Sequence, residues 1–350
     1  MLPSGVFNRR PQQDMAIVRT GTQWVLLFAG LVFLVTLGLY APGQWLNWLI
    51  LIGIYGVAVL GMHIMTGLCG QFSMGQSAFM ALGAYSTAYL VKTYDVSPWL
   101  TLPVAGLTAG LGGLVFGIPA LRIKGFYLVL TTIAAQFVII WVIKQQDWLG
   151  GTYGIRDLPR LSIGGMQIAD ATAEFWWLTL ALAAVMLFLA KNIQRTTTGR
   201  KFVAVRDNDL AAEVMGINLF RTKLLAFFIG CFYAGVAGWM WAHYLRAVQP
   251  ELFTFALSLQ FLGMIIVGGM GSTSGAVMGV VAIMLVDKAV PYVSDWVQGA
   301  FPSLKYQVSS GLQLILFAIV VIIFLLLEPK GLYHRLERIK LYYRLNPFAY

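Results

Sequence analysis

One uncharged run near the start of the chain constrains its fold more than any other feature. Residues 20–91 contain no Asp, Glu, Lys or Arg, which makes 72 consecutive residues without a formal charge. An α-helix of about 20 residues crosses the roughly 30 Å hydrocarbon core of a bilayer. The run therefore predicts three membrane-crossing helices, separated by Gly/Pro-containing breaks at 41–43 and 66–70.

Further charge-free stretches extend this pattern to the end of the chain. Hydrophobic residues make up 59% of the chain and charged residues only 11%, against about 25% charged residues in an ordinary soluble domain. We therefore predict an all-α polytopic membrane protein that forms a single transmembrane domain over residues 1–350. The ten predicted helices are 22–41, 45–66, 71–91, 98–119, 125–144, 173–190, 223–245, 253–269, 274–290 and 307–327.

The first predicted helix could be mistaken for a signal peptide, because three arginines precede it. Its apolar run is longer than a typical signal-peptide core and lacks an obvious small-x-small cleavage site. We predict that it is retained as a membrane helix.

The distribution of Lys and Arg predicts the orientation of the chain. With the N-terminus inside, the inner segments hold 17 basic and six acidic residues, and the outer segments hold seven basic and eight acidic ones. Basic residues concentrate on the cytoplasmic side of membrane proteins, so both termini are predicted to lie inside. The segments outside the membrane are then a cytoplasmic N-terminal segment 1–21, a periplasmic loop 145–172, a cytoplasmic loop 191–222 and a cytoplasmic tail 328–350. This asymmetry explains the net charge of +10 without nucleic acid as a partner.

The cytoplasmic loop 191–222 contains a candidate short helix. Asp207, Asn208 or Asp209 can cap its start, and Gly216 can end it. A helix of two turns is not stable by itself in water, so it must pack on something. Two hypotheses remain open at this point: the helix lies on lipid or on its own bundle, or it docks into a groove of a cytoplasmic partner. The apolar residues available for docking are Leu210, Val214, Met215 and Ile217.

The Gly-rich segment 67–77 is a candidate solute pathway. Its glycines permit a break in the helix and close approach of backbones. Irregular backbone at membrane depth is tolerated only against protein or water, and the segment offers uncharged donors and acceptors. It either lines a pathway or packs helices together. Segment 268–275 repeats the Gly/Ser character, which suggests an internal repeat as in many transporters.

The sequence also excludes several classes of function. It contains no Gly-Lys dipeptide and therefore no P-loop for ATP. Its two cysteines and three histidines lack metal-ligand spacing, so we predict no metal site and no catalytic residues. Asp287 and Lys288 fall near the outer end of the ninth predicted helix, and no span holds a clearly buried ionisable residue. This pattern argues against a self-powered carrier or a selective ion channel.

A series of ordered motifs carries a resemblance to a known family. Residues 70–85 match the pattern G-Q-x-S-x-G-Q-x-x-F-x-x-x-G-A-Y, and residues 199–216 match G-R-x-x-x-A-x-R-x-x-x-x-A-A-x-x-x-G. The remaining similar segments are 124–132, 150–155, 268–272 and 329–332. Immediately before the segment 150–155, Leu149 stands where the family commonly has threonine. Over about residues 20–335 the chain resembles the permease subunits of branched-chain amino-acid ABC importers, most closely the LivM-type subunit.

The resemblance implies a function and a set of partners. The chain would be the permease of an ATP-driven importer that translocates branched-chain or other hydrophobic amino acids by alternating access. It would sit in the bacterial cytoplasmic (inner) membrane with a second homologous permease subunit, two cytoplasmic ATP-binding subunits and a periplasmic or extracellular substrate-binding protein. The periplasmic loop 145–172 is either part of the dock for that binding protein or a solvated loop. ATP would be bound and hydrolysed on the partner subunits, so this chain itself would hold no cofactor and would not be an enzyme.

The same resemblance implies two groups of site residues. The residues that would couple the chain to the ATP-binding subunit are Arg206, Asp209, Leu210, Ala212, Glu213, Val214 and Gly216. The residues that would line the translocation pathway are Gly70, Gln71, Ser73, Gln76 and Ser77. Related permeases also carry urea, short amides or aromatic carboxylates, so these substrates stay open. A stand-alone secondary carrier or channel is the alternative class.

Overall fold

A computed structural model describes residues 21–121, 127–163, 166–167, 172–300, 308–328 and 331–345. Several features considered above lie wholly or partly outside these residues. They are the N-terminal segment 1–21 apart from Gly21, the start of the 124–132 motif, part of the loop 145–172, the Pro329-Lys330 pair and the end of the tail 328–350.

Every helix expected from the charge pattern has a helical counterpart. The α-helices within the described residues are α1 (Gly21–Tyr40), α2 (Gly43–Met62), α3 (Gln76–Tyr94), α4 (Pro98–Leu121), α5 (Tyr127–Gln145), α6 (Thr172–Arg195), α7 (Thr197–Asp207), α8 (Asp209–Val214), α9 (Leu219–Leu245), α10 (Phe255–Gly268), α11 (Thr273–Ala300), α12 (Val308–Leu327) and α13 (Leu332–Leu345). Among the described residues, seven helical segments are long and apolar enough to cross a membrane. The all-α polytopic membrane fold is thereby confirmed, while the number of ten crossings and the orientation stay predictions.

The break after α2 is longer than the sequence suggested. A helix was expected to restart at residue 71, but α3 begins at Gln76. A π-helical turn, His63–Leu68, continues α2, and Gly70 then adopts φ +73°. A left-handed backbone cannot continue a right-handed helix, so the helix ends before Gly70. Glycine adopts this conformation at little cost, whereas other residues do not.

Helix α9 is the centre of the packing. It contacts α2, α3 and α4, and Trp239 and Phe227 on it are fully buried. A Cβ atom on Gly235 would lie 2.2 Å from the Ala105 carbonyl oxygen, and one on Gly238 would lie 2.0 Å from the Met80 carbonyl oxygen. Small residues therefore allow the backbones of α9, α4 and α3 to touch, as is typical of helix packing in membranes.

Short strands organise one end of the bundle. Strand β1 (Ile155–Arg156) pairs antiparallel with β4 (Ala247–Val248), and β2 (Ser162–Ile163) pairs with β3 (Met166–Gln167). The Lys92 ammonium donates to the Arg156 carbonyl at 2.9 Å. These contacts fix the loop after α5 over the end of α3 and beside the segment that leads into α10.

Candidate functional site

The loop between α6 and α9 folds into two capped helices. The Thr196 hydroxyl accepts from the Gly199 amide at 3.3 Å and starts α7. The Asn208 side chain accepts from the Ala211 amide at 3.1 Å and starts α8. Gly216, with φ +81°, follows the end of α8. The expected short helix is present, whereas α7 before it was not anticipated; its sequence signal is the cap at Thr196 followed by apolar residues at 202 and 205.

Helix α8 presents an apolar surface to the outside of the molecule. Leu210, Val214 and Met215 are 69%, 87% and 82% exposed, and Glu213 is exposed beside them. Ala212 is only 3% exposed, so it seats the helix on the body and cannot touch a partner in this conformation. Ile217 also turns inward and packs against the core. A cluster of exposed apolar side chains on an otherwise polar loop is typical of a protein interaction surface.

Arg206 connects this surface to the break after α2. Its Nη1 donates to the Gly67 carbonyl at 2.9 Å, and a Cβ atom on Gly70 would lie 3.0 Å from Arg206 Cγ. Asp207 holds the guanidinium from the other side at 2.8 Å. Asp209 at the start of α8 pairs with Lys223 of α9 at 2.7 Å. A displacement of α7 and α8 would therefore be transmitted to residues 67–70 and to α9.

The two Gly-rich breaks touch each other at the same end of the bundle. A Cβ atom on Gly67 would lie 2.3 Å from the Met270 carbonyl oxygen. The Thr273 hydroxyl donates to Gln194 Oε1 at 3.0 Å and lies 3.4 Å from His63 Nε2. The sequence indicated that the two segments are alike in composition, but gave no sign that they are in contact.

The predicted pathway residues are packed by protein in this conformation. Gln71, Ser73 and Gln76 are at most 2% exposed, while Gly70 at the edge of the segment is exposed. Gln76 Nε2 donates to the carbonyls of Ala58 on α2 and Gly230 on α9, at 3.1 and 3.2 Å. Gln71 Nε2 lies 3.5 Å from Cys69 Sγ, and Ser73 Oγ accepts from the Gly75 amide at 3.4 Å. The segment therefore closes the interior and does not line an open channel.

Ser77 belongs to a buried polar cluster that joins the starts of α3 and α10. We call it the Ser77 cluster, and its members are the side chains of Ser77, Gln136 and Ser258 with the carbonyls of Phe253 and Thr254. Ser77 Oγ donates to the Thr254 carbonyl at 2.7 Å and its backbone amide donates to Ser258 Oγ at 2.9 Å. Gln136 Nε2 donates to the Phe253 carbonyl at 2.9 Å, and its Oε1 accepts from the Ala78 amide at 3.0 Å. All three side chains are at most 1% exposed.

The Ser77 cluster lies about halfway along the helices that surround it. Gln136 follows the start of α5 by nine residues, Ala58 precedes the end of the π-helical turn by ten, and Gly230 follows the start of α9 by eleven. At about 1.5 Å per residue, each position is roughly 15 Å from its helix end, which is half the hydrocarbon thickness. Helix α10, with 14 residues, is about 21 Å long, which is shorter than the hydrocarbon core, and its first turn contacts Ser77 through Ser258. Both α3 and α10 point their N-termini at the same buried region.

Two residues of the Ser77 cluster were missed in the sequence. Gln136 and Ser258 are isolated polar residues inside apolar helices, and such residues commonly hydrogen-bond across helices in membranes. That signal was available. Their convergence on Ser77 was not, because they are 59 and 181 positions away along the chain.

Comparison with known proteins gives consistent matches. Residues 44–326 match the family described as "Branched-chain amino acid transport system / permease component". The high-affinity branched-chain amino acid transport system permease protein LivM of Escherichia coli is 32% identical over 256 residues, which are 67% of this chain and 60% of LivM. The chain thus spans about 60% of the length of that relative.

More distant relatives cover a larger share of the chain. The L-arabinose transport system permease protein AraH of Escherichia coli is 24% identical over 80% of this chain and 86% of AraH. The permease protein LivH of the branched-chain amino acid system of Escherichia coli is 23% identical over 85% of this chain and 97% of LivH. No solved structure matches the chain significantly.

Proposed function

The chain belongs to the family of branched-chain amino acid transport system permease components, and from this premise we propose that it is the membrane-spanning subunit of an ATP-driven importer. In this proposal ATP is bound and hydrolysed on separate cytoplasmic subunits, and a second permease subunit completes the pore. The one observation that carries the proposal is the exposed apolar face of α8, linked through Arg206 to the Gly67 carbonyl. This surface supports the proposal that an ATP-binding subunit attaches to the helix bundle of this chain.

The proposed mechanism is alternating access. A partner bound to α8 would shift α7 and α8 during its ATP cycle. The Arg206 contact would carry that shift to residues 67–70, and the Gly67–Met270 contact would pass it to the second break. Rearrangement of both breaks would separate α3 from α10 and open the Ser77 cluster towards one side at a time.

The geometry of the Ser77 cluster supports a zwitterionic substrate. When the cluster opens, the amide groups at the starts of α3 and α10 become available to an anion. Helix N-termini favour carboxylates, and broken transporter helices use them in this way. We propose branched-chain or other hydrophobic amino acids as the substrates, as the name of LivM suggests; urea, short amides and aromatic carboxylates are the alternatives.

A stand-alone carrier or channel is the alternative class. The observation that bears on it is the pair of ionisable residues on α11. The Asp287 carboxylate accepts from the Gln260 amide of α10, and the Lys288 ammonium lies 3.0 Å from the centre of the Trp45 ring. A carrier driven by an ion gradient would accumulate solute in vesicles that contain this chain alone, whereas the importer proposal predicts no accumulation there.

The proposal is tested by uptake in host cells that lack the gene. Wild-type chain should restore accumulation of radiolabelled leucine, isoleucine and valine, and Val214→Glu should abolish it, because a charge on α8 prevents apolar docking. Val214→Leu is the matched control and should keep uptake near the wild-type level. Normal uptake with Val214→Glu would contradict the role of α8. If urea, acetamide or benzoate competed for uptake and leucine did not, that compound class would be the substrate instead of hydrophobic amino acids.

A further inference from the structure

The C-terminal helix α13 forms an elbow with the membrane helix α12. Helix α12 ends at Leu327 and α13 begins at Leu332. The sequence predicts that α12 crosses the membrane, which would place α13 at a membrane surface. Gly331 at the elbow has φ +81°, and a Cβ atom there would lie 2.4 Å from Gly269 Cα. The elbow is thus packed directly on the second Gly-rich break.

One face of α13 is occupied by the protein itself. Tyr333 is partly buried and lies close to Ser272 in the break and to Glu337 on the same helix. Burial, and then the nearby Glu337 carboxylate, raises the pKa of Tyr333. This hydroxyl therefore stays protonated at neutral pH.

The opposite face of α13 borders an open cavity of about 530 Å³. Its lining residues are Glu328 from the end of α12 and Arg335, Arg338, Ile339 and Tyr342 from α13. The α13 residues are spaced i, i+3, i+4 and i+7, which puts them on one side of the helix. Ile339 and Tyr342 are 45% and 65% exposed, and Leu336 beside them is 39% exposed.

The charges in this cavity do not cancel. Glu328 lies 3.7 Å from Arg335 Nε and 3.3 Å from Arg338 Nη2, so one carboxylate is shared by two guanidinium groups. The lining keeps a net charge of +1 next to exposed apolar side chains. A guanidinium presents several donors in a plane that suits phosphate oxygens, and basic residues next to a membrane helix favour anionic lipid.

We propose that the cavity between α12 and α13 binds the headgroup of an anionic phospholipid, with Arg335 and Arg338 on its phosphate and Leu336, Ile339 and Tyr342 against its acyl chains. The depth at the membrane surface, the net positive charge and the adjoining apolar residues together fit a lipid better than a soluble anion. The proposed orientation of the chain would place this lipid in the cytoplasmic leaflet, and lipid binding itself does not depend on that orientation. Through Gly331 the bound lipid would also brace the break at Gly269.

The test measures binding of fluorescent phosphatidylglycerol to the purified full-length chain in neutral detergent micelles, with fluorescent phosphatidylcholine in parallel. We expect Arg335→Gln combined with Arg338→Gln to weaken phosphatidylglycerol binding roughly 30-fold, which corresponds to about 1 kcal/mol for each arginine. Glutamine keeps a good helix former at both positions. Glu328→Gln should strengthen binding, because it removes the carboxylate that competes for both guanidinium groups.

The matched control is Arg200→Gln combined with Arg221→Gln, two exposed arginines outside the cavity, which changes the net charge equally and should leave binding unchanged. Equal binding by wild-type chain and the Arg335/Arg338 variant would overturn the proposal, as would equal affinity for phosphatidylcholine. Displacement of phosphatidylglycerol by millimolar inorganic phosphate would show a soluble-anion site instead. Loss of an ATP-binding subunit from the variant with lipid binding intact would identify a protein-docking surface. None of these outcomes depends on substrate transport, so the importer proposal stands or falls separately.

Discussion

At the scale of single residues, a buried side-chain amide, that of Gln136, holds the Ser77 cluster closed. Gln136 bridges two elements by pairing the Ala78 amide of α3 with the Phe253 carbonyl before α10. Without it, the Phe253 carbonyl would lose its side-chain partner and the Ala78 amide would keep only the Gly75 carbonyl, at 3.1 Å. A buried backbone group left unpaired costs about 1–3 kcal/mol. The stability of the closed conformation therefore depends on a few side chains with no charge.

Gln136→Leu is expected to lower the stability of the purified chain by about 1–3 kcal/mol. Leucine has a similar volume but cannot pair either backbone group. Thermal unfolding in detergent, followed by tryptophan fluorescence, measures the effect. Gln145→Leu, at the exposed end of the same helix, is the control and should change stability by no more than about 0.5 kcal/mol. Equal midpoints for the two variants would contradict the role of Gln136.

At the scale of elements, the charge pattern predicted the helices and the glycines predicted the breaks near residues 67–70 and 268–275, but the length of the first break was not predicted. A helix that crosses lipid excludes charge along most of its length. Each charge-free stretch of the sequence therefore marked a helix that the structure contains. The late start of α3 depends on the conformation of Gly70 and on contacts with α9, α5 and α10, which come from distant parts of the chain. The predicted coupling residues Arg206 and Gly216 belong to a motif that is visible in the sequence, whereas the contact of Arg206 with Gly67 is visible only in the fold.

Gly216→Trp and Glu213→Arg are each expected to abolish uptake while the chain still inserts into the membrane. Gly216 has φ +81° and open space around it, so tryptophan fits sterically but forces the backbone out of the left-handed region and misplaces the end of α8. Arginine at 213 reverses a charge on the exposed face. Uptake of radiolabelled leucine and the amount of chain in membrane fractions are the two measurements. Gly216→Asn should retain more uptake, because asparagine tolerates this backbone; uptake unchanged in both primary variants would argue against the coupling role.

At the scale of the whole molecule, the orientation decides which partner meets which face. The α8 surface and the breaks at 67–70 and 269–273 lie at one end of the bundle, and the paired strands β1 and β4 lie at the other. The basic residues of the inner segments predict that the α8 end faces the cytoplasm. An ATP-binding partner and an external binding protein would then attach about one membrane thickness apart.

Single introduced cysteines test this orientation. The two native cysteines are buried and can be replaced by serine. Tyr153 and Val214 are 79% and 87% exposed, at opposite ends of the bundle. In spheroplasts, a membrane-impermeant maleimide should label Tyr153→Cys at once and Val214→Cys only after permeabilisation. The reverse order would invert the orientation and remove the basis for cytoplasmic coupling through α8.

Helices α3 and α10 both begin at the level of the Ser77 cluster, and this has a consequence for the leakage of ions. Residues 69–75 run from the α8 end of the bundle to the level of the Ser77 cluster. Residues 249–254 run from the strand end to the same level, so each half of the interior is blocked by its own segment. Displacement of one of these two segments would leave the other in place. In the proposed mechanism, a solute could therefore cross while one barrier is always closed, and the ion gradients of the cell would not leak away.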